Sequence, residues 1–139
     1  MRRERAVTEL RPGLVGEVEL VVTPGDTADA AGNEGVNVLS TPRLVRLIEE
    51  ASMAAIQAGL APGEGSVGIR VEMRHLAATP LGMRVRARAV LREVDGRRLV
   101  FDVEAHDEVE KVADGVHERF QVHQERFLQR IQEKARARP

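Results

Sequence analysis

Residues 38–59, with the sequence VLSTPRLVRLIEEASMAAIQAG, decide the fold of this chain. Ser40, Thr41 and Pro42 form a helix-start signal, because a hydroxyl side chain caps free backbone N–H groups and proline fits the first helical turn. Apolar residues then recur at helical spacing along one stripe, namely Leu44, Leu47, Ile48, Ala51, Ala54, Ala55 and Ala58. We expect a helix that ends near Gly59 and lies across a sheet, since its alanines allow close approach.

Glu49 lies at the margin of this stripe, about 100° around an ideal helix from Ile48. Its position has two interpretations. It is either a boundary residue that reaches water or an acid held in a crevice. Taken alone, the helix favours the boundary residue.

Composition limits the functional classes. The 139 residues are predicted to form one domain, 1–139. Hydrophobic residues make up 42% of the chain and charged residues 31%, which is typical of a globular protein. The three Phe, with no Trp or Tyr, provide few platforms for stacking nucleic-acid bases. A net charge of −1 gives no electrostatic support for binding nucleic acid or an anionic membrane.

The absence of cysteine excludes disulfides, thiolate metal sites and a cysteine nucleophile. No apolar run approaches the roughly 18 residues of a membrane span. The basic residues 1–5 are not followed by the apolar core of a secretory signal. We therefore expect a cytoplasmic protein with no membrane partner.

Alternating patterns surround the helix. Residues 1–13 read as an arm that ends in a turn, and residues 15–22 as a strand. The Gly-rich residues 23–37 form a long loop, of the kind that often covers a site, and lead directly to Thr41. After the helix, four strands are predicted near residues 67–77, 85–92, 99–105 and 112–122.

Several details of these strands are predicted from the pattern. Asp95-Gly96 indicates a type I′ hairpin turn, and Gly115 indicates a bulge. The odd-numbered residues of the first of the four strands are expected on one face, namely Val67, Ile69, Val71, Met73, His75 and Ala77. Residues 124–136 are predicted to form a helix with Phe127, Leu128 and Ile131 turned inward.

The order of strand, long helix and four antiparallel strands predicts an α+β protein. One helix covers only one face of a sheet, and an antiparallel sheet tolerates a charged outer face. We therefore expect the hotdog fold, in which an antiparallel sheet of about five strands wraps around a long central helix. A short C-terminal helix completes it.

Residues 39–55, 60–82 and 95–120 closely resemble the bacterial fluoroacetyl-CoA thioesterase family. The resemblance extends over about residues 36–131 and is most specific at Thr41 with Glu49, at Gly68 with His75, and at His117-Glu118-Arg119. It implies a homodimeric acyl-CoA thioesterase with active sites at the subunit interface. Thr41, Glu49 and His75 are then catalytic, while Gly68 and Arg119 contact the acyl-CoA. No metal and no cofactor is implied beyond the coenzyme A of the substrate.

Thioester hydrolysis gives these residues chemical roles. Glu49 is a candidate base that activates water, or a candidate nucleophile, and His75 a candidate for moving the proton or orienting the carbonyl. A lone histidine on an apolar strand face is otherwise a core residue. Thr41 is equally well explained as a helix N-cap. Thr41 and Glu49 are roughly 12 Å apart along a regular helix, so they flank one substrate or meet across a dimer.

Arg119 is the candidate ligand for the coenzyme A phosphates. The alternating row Arg84, Arg86 and Arg88, with Arg70 and Arg74, is a rival, although such rows are usually solvated and balanced by acids. His106, His117 and His123 are predicted to be surface or hydrogen-bonded residues.

The predicted lid sets the expected specificity. Its residues 32–35 contain no aromatic side chain, whereas the family's fluoroacetate-selective enzyme carries aromatic residues there. We therefore predict a small acyl-CoA thioesterase that is not specific for fluoroacetyl-CoA. Two alternatives remain, a non-catalytic acyl-CoA-binding dimer and a hotdog hydratase or dehydratase. The hydratase is disfavoured because no histidine follows an aspartate in a D-x4-H arrangement.

Overall fold

The computed structural model describes residues 9–139, so the first part of the predicted N-terminal arm, residues 1–8, lies outside the described residues. The helices and strands are β1 (Val15–Val21), α1 (Thr41–Ile56), β2 (Glu64–His75), β3 (Arg84–Asp95), β4 (Arg98–Asp107), β5 (Lys111–His123) and α2 (Gln124–Arg136). Short 3-10 turns occupy Pro24–Asp26 and Gln57–Gly59.

The five strands form one antiparallel sheet in the order β1-β3-β4-β5-β2. Helix α1 lies across one face of this sheet, which we call the inner face, and its apolar stripe joins the strands in one core. Gly16 shows how closely they approach, because a Cβ there would lie 2.1 Å from the Ala51 carbonyl oxygen. This architecture confirms the predicted α+β hotdog fold.

Helix α1 begins where predicted, and of the two candidate cap residues, Ser40 and Thr41, only Ser40 caps it. Ser40 is the N-cap, and its hydroxyl oxygen accepts a hydrogen bond from the Arg43 N–H at 3.2 Å. Thr41 is therefore the first helical residue, and the interpretation of Thr41 as the cap is wrong. The helix ends at Ile56, and the 3-10 turn that follows tightens the last turn, so Gly59 has no left-handed φ.

Strand β2 contains a bulge between Gly68 and Arg70, which corrects the predicted face. An inserted residue reverses the alternation of side chains beyond it. Val67 pairs with Phe120 on the outer face, whereas Gly68 and, beyond the bulge, His75 belong to the inner face. The odd-numbered residues therefore do not share one face.

Two turn and bulge predictions are also wrong. The hairpin loop is Gly96-Arg97, and only Gly96 has a positive φ, so the turn is not type I′. Gly115 is in regular register between Met73 and Val103. It is needed for close packing instead, since a Cβ there would lie 2.0 Å from the Glu72 carbonyl oxygen.

Helix α2 has the predicted bounds but not the predicted burial. None of its residues is buried, and Leu128 and Ile131 are 56% and 48% exposed. The helix contacts β5 at the end of the sheet, so its apolar stripe does not pack against the inner face of the sheet. Within residues 9–139, neither helix combines the length and apolar character needed to cross a bilayer.

Candidate active site

The structure brings together two of the predicted catalytic residues. The Thr41 hydroxyl oxygen lies 2.8 Å from His75 Nδ1, joining the start of α1 to the end of β2. Because Ser40 takes the capping role, the Thr41 hydroxyl is available to the imidazole. Burial lowers the pKa of His75, so the ring is neutral near pH 7.

The long loop before α1 lies beside this pair, and Thr41 remains exposed. Backbone hydrogen bonds of 2.8 Å join Ala28 to Val38 and Asp29 to Val36, so the loop has a defined shape. Together with the end of β2 it lines a cavity of about 400 Å³ that includes Thr41. The loop therefore borders the pair, as the sequence predicted, but does not close over it.

Glu49 lies in a crevice between α1 and the inner face of β5. Its Oε2 is 3.5 Å from Arg119 Nη1 and 3.9 Å from His117 Nε2, and its side chain is 35% exposed. The carboxylate therefore fits both interpretations in part, since it lies beside two basic side chains and still reaches water.

Arg119 is almost fully buried, with 5% of its side chain exposed. Its Nε and Nη2 donate to the Ser66 hydroxyl and carbonyl oxygens at 2.8 Å and 3.0 Å. Burial lowers the pKa of Arg119 and the Glu49 carboxylate opposes this shift. The guanidinium is thus a fixed cation directed at Glu49.

Gly68 lies under the Glu49 carboxylate. A Cβ at this position would lie 2.8 Å from Glu49 Oε2 and 3.5 Å from both Arg119 Nη1 and His117 Nε2. Three polar groups therefore converge on a volume of about one methyl group, which only glycine leaves open.

His117 is the residue whose importance the sequence analysis missed. It is hydrogen-bonded, as one alternative predicted, but it is fully buried rather than on the surface. Its Nδ1 lies 2.8 Å from the Ser52 hydroxyl, and its ring stacks on Phe101 with centroids 5.8 Å apart. Ser52, a polar residue on the buried face of α1, is the sequence signal that indicates a buried polar partner.

Burial, reinforced by the nearby Arg119 cation, lowers the pKa of His117 to about 4. The imidazole is therefore neutral at neutral pH.

The predicted catalytic residues form two clusters within one protomer. Thr41 with His75 is one, and Glu49 with Gly68 and Arg119 is the other. Gly68 and His75 pair with Arg119 and Ala113, six residues apart on β5, so about 20 Å of strand separates them. One small thioester cannot contact both clusters of the same protomer.

The rival arginine row on the outer face is balanced by acids. Arg86 donates to Glu19 at 2.6 Å, Arg84 pairs with the same carboxylate at 3.5 Å, and Arg88 lies 3.8 Å from Glu17. These contacts confirm the interpretation of the row as a solvated, charge-balanced face.

Comparisons with known proteins agree with this fold. The model of a family described as fluoroacetyl-CoA-specific thioesterase, FlK, matches residues 22–125. The fluoroacetyl-CoA thioesterase of Streptantibioticus cattleyicolor is 43% identical over 100 residues, which are 72% of this chain and 72% of that protein.

Solved structures extend the likeness. The fluoroacetyl-CoA thioesterase FlK has a TM-score of 0.84 and 37% identity, covering 91% of this chain and 98% of that one. A thioesterase superfamily member from Thermus thermophilus has a TM-score of 0.82 and 31% identity, covering 97% and 100%. Sequence and fold together place this chain in the fluoroacetyl-CoA-specific thioesterase family, as a hotdog-fold thioester hydrolase.

Proposed function

We propose that this protein hydrolyses a small acyl-CoA to the free acid and coenzyme A, with Thr41, Glu49 and His75 carrying the chemistry. The observation that supports this most directly is the Glu49 carboxylate, held beside Arg119 over the open volume at Gly68. That volume suits the reacting carbonyl of a small acyl group or an attacking water. FlK variants have been solved with fluoroacetate and with acetyl-CoA, both two-carbon acyl groups.

Two routes are open to the Glu49 carboxylate. As a base it takes a proton from water, which attacks the thioester carbonyl; as a nucleophile it forms an acyl-enzyme that water then hydrolyses. A single turnover in H2¹⁸O, with trapping by hydroxylamine beside it, separates them. Label in Glu49, from attack of water on the Glu49 carbonyl of the anhydride, or a trapped Glu49 hydroxamate establishes the nucleophilic route. Label in the product acid alone, with no trapped hydroxamate, is the result of the base route.

The Thr41–His75 pair acts on the leaving group of the reaction, the thiolate of coenzyme A. The Thr41 hydroxyl, at the N-terminus of α1, is placed where backbone N–H groups favour developing negative charge. The neutral His75 first accepts the proton released by the attacking water and then, as the imidazolium, passes it to the departing thiolate. No cofactor enters these steps. The assignment of Arg119 to the coenzyme A phosphates stays a prediction.

We propose that the site is completed by a second copy of the chain. Within the described residues, β2 is an edge strand that pairs only with β5, so its other side can pair with a second β2. Antiparallel pairing about a two-fold axis near Val71 and Glu72 brings His75 of one copy beside Gly68 of the other. Glu49 of one protomer and Thr41 of the other then flank one thioester.

Complementation of inactive variants tests this arrangement. Glu49→Gln and His75→Ala proteins are each inactive, but after subunit exchange a mixed dimer has one intact site if the residues act across the interface. Half of the dimers are mixed, so we expect about a quarter of wild-type activity. No recovery, with exchange verified by mass spectrometry, places both residues in one protomer and contradicts the composite site.

We also propose that the enzyme is not specific for fluoroacetyl-CoA, because the loop of residues 23–37 has no aromatic side chain to form an apolar cover. A pocket with no specific contact to the fluorine is expected to change kcat/KM between the fluorinated and unfluorinated substrates by roughly 10–200-fold at most. Comparing kcat/KM for fluoroacetyl-CoA and acetyl-CoA measures this, and a preference above about a thousandfold would contradict it.

The deciding experiment is free-thiol release from short, branched, aromatic and long acyl-CoAs. We expect Glu49→Gln to lower kcat by about a thousandfold. Glu50→Gln is the matched control, since Glu50 is adjacent on α1 but pairs with Arg43 and Arg46. Coenzyme A binding without turnover of any substrate would instead support the non-catalytic binding dimer.

A further inference from the structure

His117 has one satisfied ring nitrogen and one that faces the reacting carboxylate. Its Nδ1 lies 2.8 Å from the Ser52 hydroxyl, while its buried Nε2 has no hydrogen-bond partner among the described residues. Glu49 Oε2 lies 3.9 Å from Nε2. A buried polar atom without a partner is costly, so its direction toward Glu49 calls for an explanation.

The surroundings of the ring keep it neutral. Glu49 and Ser52 face it from α1, Phe101 stacks on it from β4, and the Arg119 guanidinium lies on its own strand, near the same carboxylate. Glu118, the neighbouring acid, is on the opposite face of β5. A protonated imidazole would be buried and would repel Arg119, which favours the neutral form.

A neutral imidazole carries one proton, and the contacts decide which nitrogen holds it. With the proton on Nδ1, a lone pair on Nε2 would face the negative Glu49 carboxylate. With the proton on Nε2, the Ser52 hydroxyl donates to Nδ1 and an N–H faces the carboxylate. The single Ser52 hydroxyl proton has two acceptors within reach, Nδ1 at 2.8 Å and the Ile48 carbonyl oxygen at 3.3 Å, and Nδ1 is the nearer. The negative charge of Glu49 decides in favour of the second arrangement.

We propose that His117 is a positioning residue for Glu49: Ser52 fixes its tautomer, and its Nε2–H and the Arg119 guanidinium together hold the carboxylate over Gly68. This inference rests on the proposed function. Arg119 alone constrains the carboxylate from one direction, and a second donor from another direction fixes its orientation as well. A small rotation of the Glu49 side chain, which is 35% exposed, brings the 3.9 Å separation to hydrogen-bond distance.

The kinetic test uses a near-isosteric variant. His117→Phe keeps the ring and its stacking on Phe101 but removes both nitrogens. We expect kcat to fall about 100-fold because a misplaced reacting group loses about that much, while KM changes little. His117→Gln restores a side-chain N–H and is expected to retain kcat within about tenfold of wild type. The exposed His106→Gln is the control, with wild-type kcat and KM.

A second variant keeps the imidazole and serves if His117→Phe fails to fold. Ser52→Ala removes the hydroxyl that donates to Nδ1, so the proton is no longer confined to Nε2. We expect kcat to fall about tenfold. The direct readout is the long-range ¹H–¹⁵N spectrum of His117 in the full chain, which distinguishes the two tautomers without any substrate.

The outcomes separate this inference from the proposed function. An Nε2–H tautomer in the wild type, a loss of kcat in His117→Phe and its rescue by glutamine support the inference. An Nδ1–H tautomer, or a folded His117→Phe protein with wild-type kcat, overturns it while leaving the thioesterase intact. A wild-type protein that hydrolyses no acyl-CoA refutes the proposed function, and with it the role of His117 in that reaction.

Discussion

The hydroxyl of Thr41 lies 2.8 Å from Nδ1 of His75, a contact between residues 34 positions apart in the chain. It exists because Ser40 caps helix α1 and so releases Thr41 from that task. The contact joins the start of the central helix to the end of the edge strand β2, beside the loop of residues 23–37. One half of the candidate active site is therefore built by the way the helix begins.

Removing the Thr41 hydroxyl separates its catalytic and structural roles. Thr41→Val preserves the shape but not the hydrogen bond to His75, and we expect kcat to fall about 100-fold. Thr41→Ser keeps the hydroxyl and is expected to stay within about tenfold of wild type. Because Ser40 is the cap, Ser40→Ala rather than Thr41→Val is expected to cost about 1 kcal/mol of unfolding free energy. Equal kcat for the valine and serine variants would remove Thr41 from the mechanism.

A methyl group at Gly68 is expected to displace the Glu49 carboxylate. The Cβ of Gly68→Ala would lie 2.8 Å from Glu49 Oε2, so the side chain must move away from its place. We expect kcat/KM for acetyl-CoA to fall about 100-fold, because a misplacement of about 1 Å has an effect of that size. Gly65→Ala is the control on the same strand, since its Cβ meets only the flexible Gln124 side chain at 3.3 Å. Similar activities for the two variants would contradict the assignment.

Gly16→Ala tests the closeness of helix and sheet. Its Cβ would lie 2.1 Å from the Ala51 carbonyl oxygen and 2.4 Å from the Ala55 nitrogen, and neither backbone atom can rotate away. We expect the free energy of unfolding in urea to fall by about 2–3 kcal/mol. Gly25→Ala, which meets nothing within 4 Å, is the control with an expected change below about 0.5 kcal/mol. Equal stability of the two variants would show that α1 shifts freely on β1.

His117 is expected to make stability depend on pH. Burial lowers its pKa from 6.5 to about 4, so between these values the unfolded chain binds a proton that the folded chain does not. Stability therefore rises with pH through this window, and the His117 contribution lost on acidification is at most about 3 kcal/mol. The carboxyl groups of Asp26 and Asp107, whose pKa values are lowered, lose their contribution only below about pH 4.

Urea unfolding of wild type and His117→Phe from pH 7 to pH 4.5 measures this contribution. We expect the wild type to lose more stability over the range than the variant does. Parallel curves for the two proteins would mean that His117 does not titrate between folded and unfolded states in this range.

The sequence by itself determined the local structure and the identity of the family. Capping signals, helical spacing and strand alternation depend on neighbouring residues, so helix α1, the five strands and the bounds of α2 were all predictable. The family was indicated by a resemblance over about residues 36–131, most specific at Thr41 with Glu49, at Gly68 with His75, and at His117-Glu118-Arg119. The helices and strands among these features rest on interactions within a few residues of the chain.

Only the tertiary structure decided how the functional groups meet. The bulge beside Gly68 turned that residue to the face of His75, and no local pattern encodes where an extra residue enters a ladder. The contact between His117 and Ser52 joins residues 65 positions apart. The distance between Glu49 and His75 depends on how helix α1 packs against strand β2. Such contacts arise from packing between distant segments, which alternation and helical spacing cannot specify.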